Sequence, residues 1–145
     1  MGGGPMIRGL LYSPVHLLMR KEVLGLTDQQ VAKLTALRDA AKAGHDAGMA
    51  AEETHARDLK AVFMSPAPDT TAAKAAFQAM QAGLAQAQWA MLSAAAQARA
   101  VLTDVQRARV DGWGDAAEFM MHMEHGHPGP DGGPGEMPRD PDMDP

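Results

Sequence analysis

From Ala73 onward, small or apolar side chains recur at Phe77, Met80, Leu84, Ala87, Met91, Ala94, Ala98 and Val101, in alternating steps of four and three residues. Such a seam, held over four heptad-like repeats, predicts a long α-helix that buries one side against another helix. Its alanines predict a close approach of the two backbones. Hydrophobic residues are 46% of the chain but aromatics only 4%. A core of Ala, Leu, Val and Met suits packed helices better than a β-sandwich, which would want more Val, Ile, Thr and Tyr.

The helices around this seam are bounded by local signals. Residues 1–13 read as a flexible lead-in. Pro14, with Ser13 as N-cap, opens a helix through "VHLLMRKEVL" that stops at Gly25. Thr27 then caps a second helix running to about Met64, where Pro66 and Pro68 end it. Val31, Leu34, Ala41, Leu59 and Phe63 share one face of it. Gly44 and Gly48 each cost about 1 kcal/mol against Ala, so bending or local mobility is expected mid-helix. Asp69 is the N-cap of the seam helix, on which Trp89 and Leu92 add a second apolar strip. Thr103 caps a last helix with Val110, Trp113, Ala117 and Met120 at helical spacing, where Gly112 and Gly114 predict a kink or a close contact. Beyond it, residues 126–145 are rich in Pro, Gly and acid and read as disordered. The expected fold is all-α: an elongated four-helix hairpin or bundle over residues 14–125. So few bulky residues in so long a shape also predict a dimer.

Two of these caps are the same phrase. "LTDQQ" begins at Leu26 and "LTDVQ" at Leu102. In each, the Thr hydroxyl (Thr27, Thr103) accepts from the backbone of the Gln (Gln30, Gln106), whose side chain reaches back: a capping box. Leu26 and Val31 complete a hydrophobic staple at the first. At the second, Arg107 offers only its stem to Leu102. Asp28 and Asp104 favour the helix dipole.

Two LTxxQ phrases opening helices in a small, Met-rich, Cys-free chain resemble the Spy/CpxP family of periplasmic proteins, with its zinc-binding ZraP-like and metal-sensing CnrX-like relatives. The resemblance covers residues 14–124 and rests on Leu26, Thr27, Gln30, Leu102, Thr103 and Gln106. It implies a four-helix protomer, a cradle-shaped homodimer, a periplasmic location and a role in envelope or metal stress. That role is ATP-independent chaperoning of unfolded clients, or contact with a sensor protein, in one branch and metal binding in others. The nickel/cobalt site of the CnrX-like branch does not carry over. "VHLLMRKEVLG" holds His16 alone, and "SAAAQARAV" holds neither His nor Met. "MGGGPMIRGLLYS" has no apolar core of signal-peptide length.

Candidate chemistry lies elsewhere. Of 12 methionines, Met121 and Met123 stand among His122, His125 and His127. Imidazole with thioether suits copper, and His with Glu124 suits zinc. The competing reading makes Met120 and Met121 core and the rest a fraying, solvated end. His45, Met49 and Glu52, at i, i+4 and i+7, form a weaker metal candidate on a face that also carries core residues. Arg20, Lys21, Lys33, Arg38 and Lys42, beside exposed Met and Leu, are the candidate surface for clients or a partner.

Other classes lose support. Without Cys there is no disulfide, thiolate site or cysteine nucleophile. Ser13, Ser65 and Ser93 stand in no nucleophile elbow, and HExxH and phosphate-loop motifs are absent, so the reading is a non-enzyme with no required cofactor. Most of the net charge of −5 sits in the tail, as Asp131, Glu136, Asp140, Asp142 and Asp144 against Arg139. The near-neutral body gives no footprint for nucleic acid. No apolar run is long enough for a transmembrane helix.

Overall fold

The computed structural model describes residues 9–125, and among them there is no strand. After a helical turn at residues 9–11 come α1 (Pro14–Met19), α2 (Lys21–Leu24), α3 (Asp28–Phe63), α4 (Thr70–Val101) and α5 (Asp104–His125). At 1.5 Å per residue, α3 extends about 54 Å. It pairs antiparallel with α4 across the turn that holds Pro66 and Pro68.

Several boundaries match the cap signals. Asp69 accepts from the backbone N–H of Thr71 at 2.9 Å. Gly25 ends α2 in the left-handed region at φ 66°. There the N–H groups of Gly25 and Leu26 return to the carbonyls of Glu22 and Lys21, a termination that favours glycine because it has no Cβ to clash. The single first helix is corrected to two short ones. The chain leaves helical geometry at Arg20 (φ −113°, ψ 23°), where the guanidinium lies over the Trp113 ring, 4.8 Å from its centroid. Ser13 precedes α1 as expected, but its side chain makes no capping bond.

Part of the segment read as a lead-in is packed. Tyr12 is buried, and Leu11 packs on the core cluster. Residues 1–8 and the tail read as disordered, 126–145, lie outside the described residues.

The core occupies one end of the hairpin. Tyr12, Leu17, Leu24, Leu34, Ala95, Ala98, Leu102 and Val110 form it, with Leu26, Leu37, Val101 and Trp113 packed around. Further out, α3 and α4 hold each other through small residues. A Cβ on Gly48 would stand 2.5 Å from the Ala87 nitrogen and 2.6 Å from the Gly83 carbonyl oxygen. A Cβ on Gly83 would stand 2.6 Å from the Glu52 nitrogen. Where a weak middle of α3 is expected, the two helices are in close contact. The helix is unbroken from Asp28 to Phe63, and Gly48 is buried at its closest approach to α4. Gly114 likewise marks a contact, a Cβ there falling 2.8 Å from Leu11 Cδ1, and α5 continues through it.

The seam of α4 is covered at its C-terminal half and thins toward the turn. Ala87, Ala94 and Ala98 are buried, whereas Phe77 and, near the end of α3, Phe63 are exposed. Val110 is fully buried in α5, but Met120 and Met121 are 69% and 51% exposed. That removes the reading in which these two methionines are core.

Candidate functional site

Both capping boxes are formed. The backbone N–H of Thr27 donates to Gln30 Oε1 at 3.0 Å, and that of Gln30 to Thr27 Oγ1 at 3.2 Å. The same pair at Thr103 and Gln106 measures 2.9 and 3.3 Å. Helix capping leaves each glutamine with an unused NH₂ group, and here the two phrases meet. Gln30 Nε2 donates to Gln106 Oε1 at 2.8 Å, and Gln106 Nε2 donates to Gln30 Oε1 at 3.2 Å.

The second hydrogen of each NH₂ goes to the chain just before the other phrase. Gln30 donates to the Val101 carbonyl at 3.1 Å, and Gln106 to the Leu24 carbonyl at 3.2 Å. Each amide thus uses both donors and both acceptor lone pairs. Gln106 is only 7% exposed, so its polar atoms need that complete set. The result is a nearly two-fold clasp that ties the start of α3 to the start of α5.

The sequence profile of the LTXXQ motif family matches residues 16–113. The chain belongs to this family. No curated protein and no solved structure matches it.

The family phrase in this LTXXQ protein is thus a joint between two helix starts. A second joint lies beside it, unforeseen in the sequence except as the chain's only tyrosine. The Tyr12 hydroxyl donates to Asp111 Oδ1 at 2.5 Å and lies 3.2 Å from the Arg107 carbonyl oxygen. The Arg99 guanidinium lies over the Tyr12 ring and 3.7 Å from Asp111. The N-terminal segment, α4 and α5 are pinned together there.

Burial and the neighbouring Asp111 carboxylate both disfavour the phenolate, raising the Tyr12 pKa above its ordinary 10.0. The folded protein therefore keeps a proton that the unfolded chain releases. The stabilisation is complete below about pH 10 and is lost as pH rises through the folded value. Tyr12→Phe is expected to cost about 1 kcal/mol at pH 7. It should also have a shallower alkaline loss of stability than the unsubstituted protein. Urea midpoints at pH 8 and pH 11 for both chains check this.

The basic candidates are not brought onto one surface. Lys33 and Arg38 are five residues apart, so at about 100° per residue they stand about 140° apart around α3. Arg38 and Lys42 edge a cavity of about 320 Å³ with Pro14, Val15, Ala41 and Met91. Lys33 lies on the other flank, in a groove with Leu37, Gln97 and Val101. Arg20 covers Trp113, and Lys21 is exposed. Local acids already engage the cavity's cations. Arg38 pairs with Asp39 at 3.1 Å and Lys42 with Asp46 at 2.6 Å. Lys42 and His45 together hold the Asp46 carboxyl below its ordinary pKa.

Of the weaker metal set, His45 is half-buried at the cavity edge and 3.5 Å from Asp46. Met49 is exposed, and Glu52 abuts Gly83 through its backbone. Of the C-terminal set, Met121, His122 and Met123 are exposed on α5, and His125 is its last residue. His127 lies outside the described residues. Among the described residues, no group of three or more His, Cys, Asp or Glu is placed to hold a metal, and no helix is long and apolar enough to cross a membrane.

A surface that the sequence reading passed over runs along α4. Residues 75–98 carry no charged side chain. On the side turned away from α3, Gln78, Ala82, Ala85, Trp89 and Ala96 are exposed, Trp89 by 67%. A groove between the helices, lined by Leu37, Ala40, Ala90, Ser93 and Gln97, opens beside Trp89. Solvated helix faces normally carry charge. The signal was legible as a run without Asp, Glu, Lys or Arg.

Proposed function

We propose that the protein is a periplasmic, ATP-independent chaperone or envelope-stress adaptor of Spy/CpxP type, a non-enzyme that holds unfolded segments on its helical hairpin. The observation that carries this reading is the uncharged outer face of α4 with Trp89 exposed on it, together with Phe77 exposed where the seam thins toward the turn. An exposed indole on a helix face without charge is the kind of surface that marks an interaction site in a folded protein. Alanine and glutamine around the aromatics supply contact and hydrogen bonds without selecting for client charge. The exposed Phe63 and Met64 extend the apolar surface to the hairpin turn. Family membership supports the extracytoplasmic setting. The core confined to one end supports a homodimer as the working form, since a two-helix limb leaves much apolar surface uncovered.

The test is aggregation of a chemically unfolded client without nucleotide. The full chain is expected to suppress it at near-stoichiometric ratio. Phe77→Glu combined with Trp89→Glu should raise the required ratio about tenfold with helicity unchanged, because both side chains are already exposed. Light scattering of the same variants reads the dimer. Suppression that survives deletion of residues 120–145 places chaperoning on the hairpin alone. Suppression undiminished by the two glutamates, or none by the full chain, sinks the proposal.

A further inference from the structure

We propose that the exposed methionines are an oxidant-consuming surface, whose thioethers take oxygen from hypochlorous acid as reversible sulfoxides while the fold stays intact. Methionine is ordinarily among the residues most often buried. Here the apolar core is Tyr, Leu, Ala and Val, and among the described residues no methionine is buried. Met19 and Met64 are each 77% exposed, and Met120, Met121 and Met123 between 51% and 69%. Met49 is exposed by only 37%, and Met80 and Met91 on α4 are half-buried. The five most exposed stand at three separate places: the end of α1, the hairpin turn and the last turns of α5. No single contact surface accounts for them.

Exposure sets both the rate and the cost of the reaction. An oxidant in water reaches these sulfurs directly. A sulfoxide is polar, so forming one inside a core strands a polar group away from water. Formed on the surface it stays hydrated and displaces no packed neighbour. The chain has no Cys. It therefore has no thiolate to react with peroxides, to cross-link chains or to pass on to the irreversible sulfinic and sulfonic acids. Its sulfur is all thioether, and methionine sulfoxide is reduced back by dedicated enzymes. In the step itself the thioether lone pair attacks the chlorine of hypochlorous acid. Water then adds to sulfur, and chloride and a proton leave. Sulfur gives up two electrons and chlorine takes them. The inference stands apart from the chaperone reading, because no client enters its test.

The experiment adds hypochlorous acid stepwise to the full chain in the presence of N-acetylmethionine, an unhindered thioether. Peptide mass spectrometry reads the sulfoxide at each position, and circular dichroism reads the fold. Met19, Met64, Met120, Met121 and Met123 are expected to oxidise within about threefold of the rate of N-acetylmethionine. Met80 and Met91 should react at least about threefold more slowly than those five. With the five converted, helicity should be unchanged and the melting temperature should fall by less than about 3 °C. Sulfoxide reductases for both epimers, supplied with dithiothreitol, should return the five to methionine in the folded chain. Oxidation of Met80 and Met91 as fast as of the five would overturn the proposal. So would loss of helicity before the five are converted, or sulfoxides that the reductases leave in place.

Discussion

Gly48→Leu is expected to lower the unfolding free energy by about 3 kcal/mol or more, with the melting temperature falling roughly 10–20 °C. In an isolated helix the substitution would be favourable, since Gly is about 1 kcal/mol worse than Ala or Leu in a helix interior. The hairpin reverses that sign. The first added carbon would already stand 2.5 Å from the Ala87 nitrogen, 2.6 Å from the Gly83 carbonyl oxygen and 2.9 Å from Ala87 Cα. All three are backbone atoms of α4, so no side-chain rotation relieves the clash. The helices must separate by about 1 Å at their closest point, which weakens dispersion contacts on both sides of it. Gly112→Ala is the control. A Cβ there meets nothing within 4 Å, so the same helical argument predicts a gain of about 1 kcal/mol. Thermal and urea unfolding followed at 222 nm separate the two. If Gly48→Leu melts with the unsubstituted protein, the close helix crossing does not exist in solution.

That pair of glycines also shows where sequence reasoning stopped. Cap residues, prolines and the four-three seam are local, so the limits of α3, α4 and α5 were legible from them. Whether Gly48 is a weak point or a contact depends on what stands opposite, and the register of α4 against α3 is not a local property. Spacing alone could compare Lys33 with Arg38 and place them apart, but it could not show that Asp39 and Asp46 occupy the cations on one flank. The methionines of α5 posed the same difficulty. Helical spacing from Val110 to Met120 is continuous, yet only the first part of that stripe meets a partner. Burial of Val110 and exposure of Met120 follow from where the N-terminal segment and the core end, information carried by Leu11, Tyr12 and Leu17 a hundred residues away.

The duplicated phrase yields the second large effect. Gln106→Ala is expected to cost about 3 kcal/mol, because it leaves the carbonyl of buried Leu24 and one edge of the Gln30 amide without partners and removes the cap on the Thr103 N–H. Gln30 is less buried, and Gln30→Ala should cost about half as much. The double variant should fall short of the sum by about 1–2 kcal/mol, since the two amides are direct partners.

A subtler variant separates joint from cap. Glutamate serves a capping box as well as glutamine does and suits the helix dipole better. If Gln106 only capped α5, Gln106→Glu would be neutral or mildly stabilising. In the clasp its Nε2 must donate to Gln30 Oε1 and to the Leu24 carbonyl, and an ionised carboxylate donates to neither. It would also face two acceptor oxygens at short range. Gln106→Glu is therefore expected to destabilise nearly as much as Gln106→Ala at pH 7. It should recover part of the loss as pH falls and the carboxyl regains a proton to donate. Chemical denaturation of Gln106→Glu, Gln106→Ala and the unsubstituted protein across pH 4–8 measures this. A neutral Gln106→Glu at pH 7 would reduce the two phrases to independent caps. A loss matching alanine means that glutamine, and not merely a capping acceptor, is what each LTxxQ phrase requires of its partner.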